Sequence, residues 1–323
     1  MIEWVATRSH PSKGVRYGPD VRYRTLGKDG PEVSVVGLGC NNFGRRVDEA
    51  GTRAVVDAAL EGGVTLLDTA DTYGDGQSEA FLGEVLQGRR DRVVLATKFG
   101  GRMEGRGGGS RAHIHKAIDA SLQRLRTDYV DLYQYHVPDG VTPFEETFGA
   151  LDELVHAGKA RYVGHSNLEP AQIEEVDRIV RERGFTRPVS AQNQYSLLRR
   201  EAEEKLLPTC EGLGLGVLPY FPLASGLLTG KYRRNEPPPQ GARLSDRGDV
   251  FTDETWDRIE ALELYAEERG VTLLHVAIGG LLAQPAVTSV IAGATKPEQV
   301  RANVEAGAWE PSAQDITAQN ALR

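Results

Sequence analysis

A chain of 323 residues, 40% hydrophobic and 26% charged, can hold two ordinary domains or one large α/β barrel, and its balance is that of a soluble globular protein. The formal net charge of −8 argues against general affinity for nucleic acid or anionic membranes. No apolar run reaches the length of a membrane span, the opening MIEWVATRSHPSKG has no apolar core of a secretory signal, and only Cys40 and Cys210 are present, so the expectation is a cytoplasmic protein with free thiols.

Residues 1–20 are polar, with Gly and Pro, and read as an N-terminal extension; residues 21–323 read as one domain. From Tyr23 to Val36, two short strands are expected around the turn Lys28-Asp29-Gly30. Eight β-rich runs then follow, beginning SVVGLG (Ser34), VTLLD (Val64), RVVLATK (Arg92) and YVDLYQY (Tyr129). The series continues with ARYVGHS (Ala160), PVSAQ (Pro188), LGVLPY (Leu215) and AVTSVIA (Ala286). Helical stretches such as DEAGTRAVVDAALEGG, ETFGALDELVHAG and EQVRANVEA separate them. Strand–helix alternation implies a parallel sheet with right-handed crossovers, and eight such units fit a (β/α)8 barrel of the TIM type. Two long loops break the rhythm. Gly100–Arg111 is rich in Gly and Arg and reads as a mobile loop beside the site, and 231–253, with Pro237-Pro238-Pro239, reads as a lid at the barrel mouth.

The polar residues that close the early strands are the informative ones. Asp68 ends the second strand and Tyr73 follows it, Lys98 ends the third, and His136 follows the fourth. Singly, each has a plain structural reading: a turn former, a packed ring, a solvated cation. In a parallel barrel all four converge on the C-terminal face, where function is mounted. Together they suit carbonyl reduction. A phenol with a reference pKa of about 10 is a weak acid, and a nearby ammonium favours its ionised form. Lys98 can supply that charge, Asp68 can hold Lys98, and His136 can donate a hydrogen bond to the developing oxyanion.

The patterns DTADTYG, LATKFG and DLYQYH resemble the active-site segments of the aldo-keto reductases, and the resemblance, bacterial in flavour, extends over residues 22–310. It implies the barrel, a hairpin closing its bottom, and Asp68, Tyr73, Lys98 and His136 as the catalytic tetrad. No GxGxxG follows an early strand, which argues against a Rossmann domain; the resemblance implies instead NADPH rather than NADH, lying extended across the mouth. By that resemblance Gly39, Cys40 and Asn41 line the cofactor; Ser166, Asn167 and Gln192 hold the nicotinamide amide; and Tyr220 stacks on its ring. Phe221, Pro222, Leu223, Ser225, Gly226 and Lys231 follow the pyrophosphate. Gly293, Thr295, Lys296, Gln299 and Asn303 form the adenosine-phosphate end, with Lys296 on the 2′-phosphate at a helix N-terminus. Ala302 departs from the Glu of many relatives, and Gly293 from the Lys of one branch. Phe43, Phe99 and Trp309 are expected to wall the pocket of a small carbonyl or alcohol substrate.

Three other readings exist. A nucleotide-binding subunit could keep the tetrad while serving a partner, as potassium-channel β subunits do, and the same chemistry could run in the oxidative direction. A metal-dependent hydrolase would need ligands beyond His113-Ile114-His115, which enters a helix instead of ending a strand. Cys40 reads as a lining residue with no neighbouring base.

Overall fold

The computed structural model describes residues 21–101, 105, 107–240, 242–245 and 250–322. The expected extension at residues 1–20 lies outside them, as do residues 102–104 and 106 of the Gly-rich loop and residues 241 and 246–249 of the long loop. An antiparallel hairpin, β1 (Tyr23–Thr25) and β2 (Glu32–Ser34), precedes eight parallel strands. These are β3 (Val36–Gly39), β4 (Leu66–Asp68), β5 (Val94–Phe99), β6 (Val130–Tyr135), β7 (Ala160–Ser166), β8 (Ser190–Gln192), β9 (Gly216–Val217) and β10 (Val290–Gly293). The hydrogen-bonded order is β10-β3-β4-β5-β6-β7-β8-β9. A parallel bridge, Val217↔Val287, joins the last strand to the segment entering β10 and closes the ring. The eight expected strands are therefore the eight staves of a (β/α)8 barrel.

Helices α1 (Glu49–Glu61), α2 (Gln77–Val85), α3 (Arg111–Leu125), α4 (Phe144–His156), α5 (Pro170–Arg183) and α6 (Leu206–Leu213) alternate with the strands. Next, α7 (Asp253–Glu267) and α8 (Leu273–Leu282) lie between β9 and β10, and α9 (Pro297–Gly307) and α10 (Ala313–Asn320) end the chain. Their boundaries follow local chemistry. Asp48 accepts from Gly51 N at the start of α1, and Glu169 and Gln172 form a capping box ahead of Pro170 in α5.

Side-chain alternation along each strand divides the apolar residues into two sets. Leu66, Val94, Ala96, Leu132, Val189, Leu218 and Ile291 fill the barrel, and Leu26 and Val33 from the hairpin join them as a plug. The outward residues, among them Leu67, Leu95, Tyr133 and Val163, pack under the helices. The hairpin docks by its turn: Lys28 N donates to Gly214 O at 2.8 Å. Gly27 has a left-handed backbone (φ 62), and a Cβ there would lie 2.5 Å from Val189 O. The plug leaves the opposite, C-terminal end open for chemistry.

Leu26→Ala removes a fully buried side chain from the plug. The expected cost is about 2–5 kcal/mol in urea unfolding; a loss below about 1 kcal/mol would show that the hairpin is not part of the barrel core.

Candidate active site

β4 stops at Asp68 because the next residues turn toward helix α2. Tyr73–Gly76 form a kinked turn in which Gly74, Asp75 and Gly76 all have positive φ. Gly74 is required there: a Cβ would sit 2.9 Å from Phe43 O. The turn folds Tyr73 back over the end of β5. There Lys98 Nζ donates to Asp68 Oδ2 at 2.7 Å, to Thr69 O at 2.8 Å and to Tyr73 Oη at 3.3 Å. Lys98 has no solvent exposure and Asp68 is 3% exposed. His136, at the top of β6, meets the Tyr73 ring edge-on with centroids 5.9 Å apart. The four residues expected from strand ends are thus one group.

Their electrostatics follow from burial and from each other. Burial works against the Lys98 charge, but Asp68 and then Tyr73 more than offset it, so the ammonium holds its proton above the usual lysine range. Burial raises the Tyr73 phenol above its ordinary value, and the Lys98 charge offsets only part of that rise. His136 is pushed down to about 3 by burial and then by Lys98, so it is a neutral imidazole that can donate one N–H. Its Nδ1 is buried without a hydrogen-bond partner, and a Cβ on Gly101 would lie 2.4 Å from it. Gly101 therefore seals one side of the ring. Cys40 is fully buried and its thiol is raised by burial and then by Asp68, as suits a lining residue.

A second cluster occupies the ends of β7, β8 and β9. Ser166 Oγ donates to Gln192 O at 2.7 Å, and Asn167 Nδ2 donates to His136 O at 2.9 Å and to Ser166 Oγ at 3.0 Å. Asn167 has φ 60, a conformation Asn tolerates better than most residues. Tyr220 Oη donates to Asn167 Oδ1 at 2.7 Å. Ser166, Asn167, Gln192 and Tyr220 are hence contiguous with the tetrad. Beyond Tyr220 the backbone is left-handed at Phe221, Ala224, Ser225 and Gly226, an unfavourable run for three non-glycine residues.

The rim of the barrel near the expected adenosine-phosphate residues holds further cations that carried no signal in the sequence. A cavity of about 420 Å³ is lined by Asn41, Asn42, Arg45, Arg46, Arg243 and Ser245, among others. Burial lowers Lys231, and the charges of Arg46 and Arg243 lower it further; burial and then Arg46 lower Arg243. The cavity borders the expected adenosine-phosphate residues. Gly39 and Gly293 are register partners at the tops of β3 and β10, and a Cβ on Gly293 would meet Asn42 Nδ2 at 3.4 Å and Asn41 Oδ1 at 3.5 Å. Lys296 is the N-cap of α9, Thr295 N donates to Gln299 Oε1 at 2.8 Å, and Asn303 is buried. Arg45-Arg46 and Arg243 carried no local signal, because only the closed barrel brings their two loops together.

The expected aromatic walls are corrected. Phe99 follows inward-facing Lys98, so strand alternation turns it outward, where it stacks on Tyr133 (4.9 Å) and Tyr135 (5.3 Å) with no exposure. Phe43 is also fully buried, in the outer core. Trp309 lies just past α9, at the hairpin end of the barrel, and packs against Gly279 of α8. Phe99 and Trp309 therefore do not face the tetrad. The Gly-rich loop is anchored in its described part: Gly105 N donates to Asp139 O at 2.8 Å and Gly109 N to Asp139 Oδ2 at 2.8 Å. The long loop is likewise held, with Arg243 over the Phe221 ring and Phe251 stacked on Trp256. His113 and His115 lie on α3, and His115 Nε2 is 2.9 Å from Glu153 Oε2. Among the described residues, no group of three or more His, Cys, Asp or Glu side chains is placed to hold a metal ion.

Asp71, two residues before Tyr73, is raised to about 7 by burial and then by the Glu79 carboxylate, and its Oδ1 is buried without a partner. A carboxyl that binds its proton more tightly folded than unfolded loses stability as pH rises from about 4 to about 7. Asp71→Asn cannot ionise. Its melting temperature is expected to exceed that of the parent above about pH 7 and to lose this advantage near about pH 4. A difference independent of pH would contradict the assignment.

The comparisons with known proteins agree with this geometry. The model of the Aldo/keto reductase family matches residues 35–323. Over 300 residues the chain is 35% identical to a protein of Oryza sativa subsp. japonica named "Probable voltage-gated potassium channel subunit beta", covering 88% of this chain and 91% of that one. It is 34% identical, with the same coverage, to a protein of the same name from Arabidopsis thaliana. The "Uncharacterized oxidoreductase YrpG" of Bacillus subtilis (strain 168) is 35% identical, again with that coverage. No helix among the described residues is long and apolar enough to cross a membrane. The chain belongs to the aldo/keto reductase family of oxidoreductases.

Proposed function

We propose that this protein reduces an aldehyde or ketone to an alcohol with NADPH. The observation that carries the reading is the contact of buried Lys98 Nζ with both Asp68 Oδ2 and Tyr73 Oη. Bound NADPH would supply the hydride. Tyr73 Oη gives its proton to the carbonyl oxygen, and Lys98 stabilises the phenolate left behind. Asp68 keeps Lys98 charged and aimed, and neutral His136 donates a hydrogen bond to the oxygen as charge develops on it.

The residues present fit a phosphorylated dinucleotide. Arg46 and Arg243 line one cavity and their charges bear on Lys231 nearby, a concentration of cations that suits a phosphate anion. Ser166, Asn167 and Gln192 supply amide and hydroxyl groups suited to a carboxamide, and Tyr220 offers a ring beside them. Gly39, Asn41, Pro222, Leu223, Ser225 and Gly226 would line the path between the two ends. Lys296, Thr295, Gln299 and Asn303 would receive the adenosine phosphate. The names of the plant relatives favour a second reading, a nucleotide-binding subunit without turnover of its own.

Tyr73→Phe is expected to lose reduction by at least about a hundredfold, the scale of general acid catalysis, while fluorescence titration shows NADPH still bound. Near-normal turnover in that variant would contradict the role of Tyr73, and tight NADPH binding without turnover in the parent would favour the subunit reading. Lys296→Ala is expected to weaken NADPH far more than NADH. Equal losses would remove Lys296 from the 2′-phosphate.

A further inference from the structure

Asp68 is held by more than Lys98. Its Oδ1 faces two side-chain amides inside the barrel, Gln192 Nε2 at 2.9 Å and Gln134 Nε2 at 3.3 Å. A carboxylate offers only acceptors, which fixes the end that each amide turns toward it. The other end of the Gln134 amide is held as well, because Ser190 Oγ lies 3.5 Å from Gln134 Oε1. The barrel makes room for this arrangement. Lys98, Gln134, Gly164 and Ser190 are successive register partners across β5, β6, β7 and β8. A Cβ on Gly164 would sit 2.2 Å from Ser190 Oγ and 3.3 Å from Gln134 Cγ. Gln134 and Ser190 have no solvent exposure. A fully buried primary amide next to the apolar filling of the barrel is costly unless its hydrogen bonds are made, and here its donor end is turned to the Asp68 carboxylate.

The two amides differ in position. Gln192 pairs with Ser166 at the strand ends, whereas Gln134 pairs with Gly164 one layer deeper. Gln192 is level with the residues suited to the cofactor amide, so its side chain would be shared between Asp68 and a bound cofactor. We propose that Gln134 is a positioning residue for proton transfer: it holds the Asp68 carboxylate in one orientation from below, and so keeps Lys98 directed at Tyr73 whatever Gln192 contacts above. The proposal rests on the reductase reading for its purpose but not for its test. The ionisable groups facing the Lys98–Tyr73 contact are Asp68 from β4, Asp71 just beyond it, Cys40 from the end of β3, His136 from the end of β6 and Tyr220 beyond β9.

Gln134→Met preserves length and approximate volume and removes the amide donor. The test is nitrogen NMR of the Lys98 ammonium in the full chain, assigned by its loss in Lys98→Met, followed with rising pH. In Gln134→Met, Lys98 is expected to lose its proton about one pH unit lower than in the parent, the scale of one hydrogen bond to a charged group. Carbonyl reduction should fall about tenfold or more, with NADPH affinity retained and an intact circular dichroism spectrum. In Gln134→Glu the introduced carboxyl can donate to Asp68 only while protonated, so turnover should recover as pH is lowered. An unchanged Lys98 titration in a folded Gln134→Met variant overturns the proposal whatever the turnover. A shifted titration in a protein whose parent reduces no carbonyl upholds the positioning role and removes the reductase reading.

Discussion

A lysine ammonium without solvent contact is the constraint on which the site depends. Taking such an ion out of water costs several kcal/mol even after relaxation, and only good geometry with satisfied hydrogen bonds offsets it. Lys98 meets that requirement with the Asp68 carboxylate, the Thr69 carbonyl and the Tyr73 hydroxyl. Each partner imposes a further condition. Asp68 must end β4 beside β5, Tyr73 must be returned over the barrel by a left-handed turn at Gly74-Asp75-Gly76, and the carboxylate needs donors of its own. The parallel ring provides the first condition by register, the glycines the second and the glutamine amides the third.

Charge is graded along the barrel axis. The hairpin end is plugged by Leu26 and Val33 and the middle is apolar. The tetrad sits at the strand ends with its imidazole neutral, and cations gather at the rim in two loops, one holding Arg46 and the other Lys231 and Arg243. A ligand with an uncharged reactive end and an anionic tail matches this gradient. The unfavourable backbone at Phe221, Ala224 and Ser225, between Tyr220 and Lys231, lies where such a ligand would pass from one end to the other. Strain of this kind persists where the surrounding structure over-determines it, and functional sites are where it collects.

Much of this was legible in the sequence because it depends on local order. Eight β-rich runs separated by helical stretches define the staves, and the residue ending each stave is named once the strand is found. Asp68, Lys98 and His136 were accessible in that way, and Tyr73 through the Gly-containing turn after it. The exclusions follow the same physics. Phe99 was misread because alternation places it opposite Lys98, on the helix side of the sheet, and Trp309 because the C-terminus of α9 lies at the hairpin end. Arg46 and Arg243 could not be paired by eye, since closure of the ring, not local sequence, brings their loops together. Gln134 was hidden in another way. Within YVDLYQY it reads as a strand residue, and its meaning appears only when Asp68, two strands away, is seen facing it across the barrel.

The tetrad and the cationic rim are proposed to serve one nicotinamide-dependent reduction. The most direct test is to titrate the purified parent chain with NADPH by fluorescence, then follow the loss of nicotinamide absorbance over a broad panel of aldehydes and ketones. Saturable binding of one NADPH per chain, with consumption on at least one carbonyl, is the result expected. Failure of the chain to bind NADPH or NADH at all would contradict the account at its base.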